Sequence, residues 1–467
     1  MISYKKIILY ILCVFMVLLI CEKIAPVQFT DPSEDIIEED FNNLPKLADL
    51  NLKWEKIWDF GEYDSGHSIV VDSQGAIYAA GDCEAEKGDF DGLLVKYDAS
   101  GALLWSRLWN GSRADSWFGV VVDSLDNVFV AGWTLNNSLD ICLVKYDGNG
   151  HQLWNRTWGS LGLERGWLMA IDLEDNIYIT GVYNETNIFL MHDHFRVGSL
   201  LVVKYSSSGE FKWAQIFPGK LSMMVGMDIE ADRNGDIYIF GMNYTKDPNS
   251  GMYVGNYVHL KLNSSGVLLW KKTQGEIMGI YGTINSNNEI YVASGRDPNE
   301  NGKLGIHRYD GKGELIWEKK IEGSSTTNYS ILDITVDSQE RIFITGANSS
   351  QEDYGDVFVM VYDAITDQAL FVYWGGAGHD RSYSITVSPC EETIYITGES
   401  KGHGFALKYQ FDAKTPMESG GGGGDSSSSH STNNHNETIP GYSLIFLLST
   451  MVAGIYLTLR KQKKLQK

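Results

Sequence analysis

The residues best suited to chemistry in this sequence fall into two groups. The first is His192-Asp193-His194 with Arg196, followed further along by Tyr244, Tyr253 and Tyr257. Two imidazoles beside a carboxylate can ligate a metal, and arginine with tyrosines can hold a polar ligand. The second group is Asp64, Asp115 and Asp380, which fall at equivalent places in a repeated pattern. Hydrogen bonds to loop backbone are the simpler role for these acids; around one opening they would also suit a cation or a polar ligand, and calcium is the one cofactor they suggest. Asp232-x-Asn234-x-Asp236 matches half of a calcium loop but lacks the closing bidentate glutamate. The five cysteines include no CxxC and no Cys/His ligand spacing, so zinc, haem and iron–sulfur sites are not expected. No catalytic residue is assigned, and apart from that calcium no metal or other cofactor is expected.

These residues must be positioned by a repeat. Gly75-Ala-Ile-Tyr-Ala-Ala-Gly81 returns at Asn127–Gly132, Asn176–Gly181, Asp236–Gly241, Glu289–Ser294, Arg341–Gly346 and Thr393–Gly398, spaced by 49 to 60 residues. Each copy sits among four short runs rich in Val, Ile, Tyr and Trp, bounded by turns such as Asp98-Ala-Ser-Gly101 and Asp147-Gly-Asn-Gly150. With 49 Gly against 9 Pro, the chain has the residues that many tight turns need. Four antiparallel strands repeated seven times predict an all-β, seven-bladed β-propeller over residues 52–413. The last strand of each unit carries Trp105, Trp154, Trp213, Trp270, Trp317 or, in the sixth unit, Leu370, and the seventh unit lacks one. Trp54-Glu-Lys-Ile-Trp58 supplies the missing copy, so residues 52–59 are expected to pair antiparallel with residues 404–411 and close the last blade.

The recurring charges read as structural. Asp72, Asp123, Asp172, Asp232, Asp337 and Asn285 precede the strand anchor at a constant distance and suit turn capping. Lys96, Lys145, Lys204, Lys261, Arg308 and Lys408 share one strand position, where a stem can pack between blades and the charge can meet a carboxylate. The strand order places short uniform turns on one face and longer variable loops on the other, Val182–Ser199 and Met242–Tyr257 being the longest. The two chemical groups fall on that variable face, where binding usually resides.

The ends suggest a location. Lys5-Lys6 and an apolar run to Cys21 have the form of a signal peptide or signal-anchor over residues 1–23, and residues 24–51 are an acidic linker. Residues 414–438 form a Gly/Ser/Asn-rich linker. Residues 439–459 are an expected transmembrane helix, whose Tyr442–Leu459 stretch would span about 27 Å. The basic tail 460–467 marks the cytoplasmic side, leaving the propeller outside the cell membrane. Sequons at Asn110, Asn136, Asn155, Asn184, Asn243, Asn263, Asn328, Asn348 and Asn436 are glycosylation candidates there. A net charge of −22 argues against nucleic acid as a partner.

Asp91-Gly-Leu-Leu-Val-Lys-Tyr-Asp-Ala-Ser-Gly-Ala-Leu-Leu-Trp105, Val70–Gly81 and the Gly-rich Gly375–Val387 carry a family resemblance. The units resemble the seven-bladed β-propeller, or SBBP, repeat, and the C-terminal segment is similar to the anchors of archaeal surface proteins. The resemblance implies the propeller fold and a cell-surface setting, and it names no activity. Asp-x-x-Gly-x-x-x-Trp, as in Asp98 to Trp105, is also similar to the docking motif of quinone-dependent dehydrogenase propellers, but the vicinal cysteine pair expected of those enzymes is missing. The expected function is a membrane-anchored extracellular binding or adhesion module for a protein or glycan. The alternative is an extracellular lyase or glycoside hydrolase using acids at the channel mouth, which clustered acids of raised pKa would favour.

Overall fold

The apolar runs of the repeat become strands buried on both faces. Ser199–Tyr205 and Ile290–Gly295 are buried at every position, as strands sandwiched between neighbouring sheets must be. The structure, a computed structural model, describes residues 49–411 apart from 87, 112–113, 137, 161, 185–197, 219–222, 247–252, 275–277, 296–302, 323–326, 351–354, 377 and 389–391. The expected signal segment, the Gly/Ser/Asn-rich linker, the expected membrane helix, the basic tail and the acidic linker up to residue 48 lie outside the described residues, and the end of that linker runs into the first strand at Leu50. Among the described residues no helix is long and apolar enough to cross a membrane.

The described chain is all β. Strand β1 (Leu50–Ile57) is followed by four-stranded antiparallel meanders: β2–β5 from Asp64 to Trp109, β6–β9 from Asp115 to Trp158, and β10–β13 from Leu163 to Phe217. Next come β14–β17 from Met223 to Gln274, β18–β21 from Met278 to Glu322, β22–β25 from Thr327 to Trp374, and the three strands β26–β28 from Asp380 to Phe411. The architecture is a β-propeller, but not with the seven separate sheets expected from the repeat. Five four-stranded sheets stand apart, and β6–β13 form one eight-stranded sheet. The join is a single parallel bridge, Leu139 of β8 (Leu139–Tyr146) to Leu163 of β10 (Leu163–Ile171). The first strands pack in cyclic order: β2 (Asp64–Val71) on β6 (Asp115–Val122), then β10, β14 (Met223–Ala231), β18 (Met278–Ile284), β22 (Thr327–Val336), β26 (Asp380–Val387) and back to β2.

The final sheet closes with the N-terminal strand. β1 pairs antiparallel with β28 (His403–Phe411), from Leu50 opposite Phe411 to Ile57 opposite Phe405. This is the pairing expected from the missing tryptophan strand, and it covers an edge that would otherwise be open.

One joint recurs between neighbouring units. The Gly148 carbonyl, in the turn that follows β8, accepts the Trp105 indole N–H (3.2 Å) and the Lys96 ammonium (3.0 Å) of the preceding unit. Ser264 O receives Trp213 and Lys204 in the same way, at 3.2 and 3.1 Å. At the closure, Ala99 O receives Trp54 at 3.4 Å and Lys408 at 2.9 Å. The lysines also pair with the acids that recur before each strand anchor: Lys145 lies 2.9 Å from Asp123 and Lys96 lies 3.5 Å from Asp72. Their ammoniums sit over Tyr78, Phe129, Tyr178 and Tyr238 at 4.5–4.7 Å. Each of those acids caps its own turn, Asp72 Oδ1 accepting the Gln74 and Ala76 amides and Asp232 Oδ1 the Asn234 and Asp236 amides. The calcium half-loop is therefore occupied by turn hydrogen bonds.

The turn glycine completes the joint. Gly150 has φ +79°, and a Cβ there would lie 3.0 Å from Trp105 ring atoms. Gly75 has a similar φ of +82° but nothing within 4 Å of a Cβ. Gly75→Ala is expected to cost only the left-handed backbone term, about 1 kcal/mol. Gly150→Ala is expected to cost about 1 kcal/mol more, because the indole must move. Denaturant unfolding of the two variants measures the difference, and equal losses would remove the indole contact from the account.

Candidate functional site

The centre of the ring is built from the first strands, and each of them is irregular. The register shifts between Gly66 and Ser68, Trp117 and Gly119, Gly226 and Asp228, Ile331 and Asp333, and Ser382 and Ser384. A bulge leaves one residue unpaired and re-aims its side chain. Three residues re-aimed in this way meet one another: the His67 ring lies 4.4 Å from Phe118 and stacks on Tyr383 at 5.3 Å. At Gly66 and Gly226 the glycine before the bulge is required by proximity, since a Cβ on Gly66 would lie 2.1 Å from Thr397 Oγ1 and one on Gly226 2.1 Å from Thr180 Oγ1.

Polar groups surround this aromatic stack. His67 Nε2 lies 3.4 Å from Asp82 Oδ1, and Ser116 Oγ donates to Asp82 Oδ2 at 2.5 Å. Tyr383 Oη donates to Glu399 at 3.2 Å. Burial and then the Glu399 charge push the Tyr383 phenol far above its ordinary range. For Arg381 burial opposes the charge, but Tyr383, Glu399 and Tyr63 outweigh it and raise the pKa. The cluster thus joins a cation, acids and stacked rings drawn from three meanders.

Across the ring lies a purely acidic cluster. Asp228 on β14 accepts the Ile229 amide (2.8 Å) and, from the next meander, the Gly282 amide (3.3 Å). Asp333 on β22 accepts the Ile334 (2.7 Å) and Ile385 (2.8 Å) amides. Glu230 accepts the Thr283 hydroxyl at 3.1 Å. Ser68 and Ser384 occupy the equivalent place in their meanders and accept the Val120 and Ile69 amides. This side chain is therefore a tether from one first strand to the next. Asp228 is buried, while Glu230 and Asp333 keep partial access to the central space though protein encloses them. Burial, first, and then the Asp333 and Glu230 charges raise Asp228 well above the carboxylate range. Burial, partly offset by the Thr283 hydrogen bond, raises Glu230 to about 7, and burial against its backbone hydrogen bonds raises Asp333 to about 7. Such groups can exchange a proton near neutrality or accept a cation.

The residues singled out by sequence fall in different places. His192, Asp193, His194 and Arg196 lie outside the described residues. Tyr244 and Tyr253 are not in an open loop: the hairpin extends through them, with Tyr244 opposite Gly255 and Lys246 opposite Tyr253. Tyr257 is a strand residue buried in the core, its Oη without a hydrogen-bond partner and its pKa raised by burial, Tyr309 and Asp228. Pairing of residues 242–246 with 253–257 is why the loop expected there is shorter.

Asp64, Asp115 and Asp380 each begin a first strand, and all three are buried. Each accepts a backbone amide from four residues upstream, from Phe60, Gly111 and Gly376 respectively, at 2.9 Å in every case. Glu164 does the same for Ser160 at 3.1 Å. Its place at the head of β10 was the signal that sequence reading missed. These acids close the entry loops. The sequon residues Asn110, Asn136 and Asn155 are exposed, while Asn243, Asn263 and Asn348 are half-buried and Asn263 caps its own turn. Asn184 and Asn328 lie on strands, and Asn436 is outside the described residues. Cys83 and Cys142 are buried free thiols, Cys83 pushed up to about 12 by burial and the neighbouring Asp64, Asp91 and Asp82, so it is no nucleophile at neutral pH.

No protein-family model matches the chain, and no curated protein matches it significantly. The likeness to the SBBP repeat and to archaeal anchors therefore rests on the motif residues alone.

The acidic cluster has a pH signature. Unfolded carboxyls ionise near pH 4–4.5, whereas Glu230 and Asp333 hold their protons to about 7. Across that window the unfolded state has lost protons that the folded state retains, so these groups lower stability as pH rises and add nothing further above it. Glu230→Gln is expected to gain about 1–2 kcal/mol relative to the parent at pH 8, allowing for water in the central space, and to lose that advantage at pH 4. Urea unfolding at both pH values checks this; a gain independent of pH would mean that Glu230 does not titrate in the window.

Proposed function

We propose that the chain is a membrane-anchored extracellular β-propeller that acts as a binding or adhesion module for a protein or glycan. Its ring is counted as seven blades, with the eight-stranded sheet taken as two meanders joined by one bridge. The uniform register of the repeated strands and the cyclic packing of the first strands support that count. In this reading residues 1–23 direct export, residues 439–459 anchor the chain, and the tail 460–467 lies in the cytoplasm.

The observation that carries the binding reading is the convergence of His67, Phe118 and Tyr383 beside Arg381, Glu399 and Asp82. Stacked rings flanked by donors and acceptors suit the apolar face and hydroxyls of a sugar ring, or a peptide side chain. The connections on the same side support it. The links between second and third strands vary from two residues after Ser400 to fourteen after Asn184, whereas the turns of the opposite face keep four or five. The entry loops before the first strands vary little, so the variability belongs to one class of loop.

The enzyme reading is favoured by one observation, the clustered Asp228, Glu230 and Asp333 with raised pKa values. Their hydrogen bonds to neighbouring strands give them a structural task as well, and this keeps the binding reading first.

The test is a glycan and peptide array probed with the full chain in detergent. His67→Ala and Tyr383→Phe are expected to weaken the captured ligand at least tenfold and about threefold, while Asp333→Asn leaves capture unchanged. Release of a reducing sugar or an unsaturated product from a captured glycan, abolished by Asp333→Asn, would instead establish the enzyme.

A further inference from the structure

The ring-closing seam brings together three residues from separate strands. Asp59 follows β1, Asp64 opens β2 and His403 opens β28. One ligand atom from each lies within 4.8 Å of the other two. The backbone holds this arrangement from both sides: Trp58 N–H donates to Gly404 O at 2.7 Å, and Asp64 N–H donates to Gly402 O at 2.8 Å. His403 is thus fixed between two bonded glycines opposite the strand ends that carry the acids.

Two polar atoms of the group have no partner. Asp64 is fully buried, and while its Oδ2 accepts the Phe60 amide, its Oδ1 accepts nothing. His403 Nδ1 is buried without a hydrogen bond, 3.9 Å from Asp59 Oδ1. A buried carboxylate oxygen left unsatisfied is destabilising, and burial accordingly raises the Asp64 pKa. A ligand shared by the three residues would satisfy the carboxylate oxygen and the imidazole nitrogen at once.

We infer that Asp59, Asp64 and His403 form a binding site for a divalent transition-metal ion of the zinc class. An imidazole with two carboxylates is the donor set such ions take, whereas calcium and magnesium prefer all-oxygen shells. Tetrahedral zinc with bonds near 2.0–2.1 Å sets its ligand atoms about 3.3 Å apart. The Asp59 side chain is 80% exposed and free to rotate the remaining distance. A fourth position stays open to water. The bound ion would link the exit of β1, the entry of β2 and the start of β28, stapling the ring where its two ends meet.

The experiment uses the full chain in detergent, stripped with a chelator and then titrated with Zn2+ by equilibrium dialysis and thermal unfolding. His192 and His194 are replaced by alanine in every sample, so that this other histidine pair does not contribute. Zn2+ is expected to bind with one equivalent more than in Asp59→Ala or His403→Gln and to raise Tm by a few degrees, with affinity at least tenfold weaker in each variant. Asp59 is too exposed for its replacement to disturb folding, and the variants should melt with the parent in chelator. A parent that neither binds that equivalent nor gains Tm would overturn the site, as would an undiminished Tm gain in both variants.

Discussion

A single backbone carbonyl, the second residue of each outer turn, organises the junction between neighbouring blades. It accepts an indole N–H and an ammonium from the preceding unit, as Gly148, Ser264 and Ala99 each do. The Asp-x-x-Gly-x-x-x-Trp spacing follows from that geometry. The aspartate folds the turn by accepting the amides two and four residues on, as Asp98 does from Ser100 and Ala102. The glycine takes a left-handed conformation and offers a flat surface to the tryptophan of the preceding unit. The tryptophan four residues later then reaches the next turn. A unit with both the turn and the tryptophan therefore presents both halves of the joint, and a chain of such units has to curve until its ends meet; the sixth unit, with Leu370 in place of the tryptophan, lacks the indole half.

Because the ends meet through the same joint, the N-terminal strand is an integral part of the last sheet. Trp54 and Lys408 come from opposite ends of the described chain, yet they converge on Ala99 as Trp105 and Lys96 converge on Gly148. The charge pattern is largely consumed in this way. Lysines that might have formed a basic array lie beneath aromatic rings and beside turn acids, where a buried pair is costly to break. What remains for function are groups that depart from the repeat: the side chains extruded by the first-strand bulges and the acids of the central space.

The repeat was legible because it is periodic: the Ile-Tyr-Ile-Thr-Gly anchors, the outer tryptophans and the capping aspartates each recur at fixed offsets, and the missing seventh tryptophan pointed to β1. The fusion of two meanders into one sheet was not legible, since one bridge between Leu139 and Leu163 leaves no mark on composition. Asp228 and Asp333 were invisible for a different reason. They stand where other units carry Ser68, Tyr281 or Ser384, so no motif groups them; only the ring brings them together. Asp64, Asp115 and Asp380 were legible as equivalent acids suited to bond loop backbone, and each carboxylate does turn back onto its own entry loop; what the sequence did not mark is that the amide comes from four residues upstream in every case.

Native-state hydrogen exchange of the Leu50–Ile57 amides tests the ring-closing joint most directly. If the clasp is part of the ring, the β1 amides bonded to β28 exchange with the same free energy and the same denaturant dependence as the buried strand Ser199–Tyr205, through global unfolding. Rapid exchange of β1 at low denaturant, with Ser199–Tyr205 still protected, would show that the N-terminal strand opens on its own and that the joint at Ala99 does not hold the ring closed.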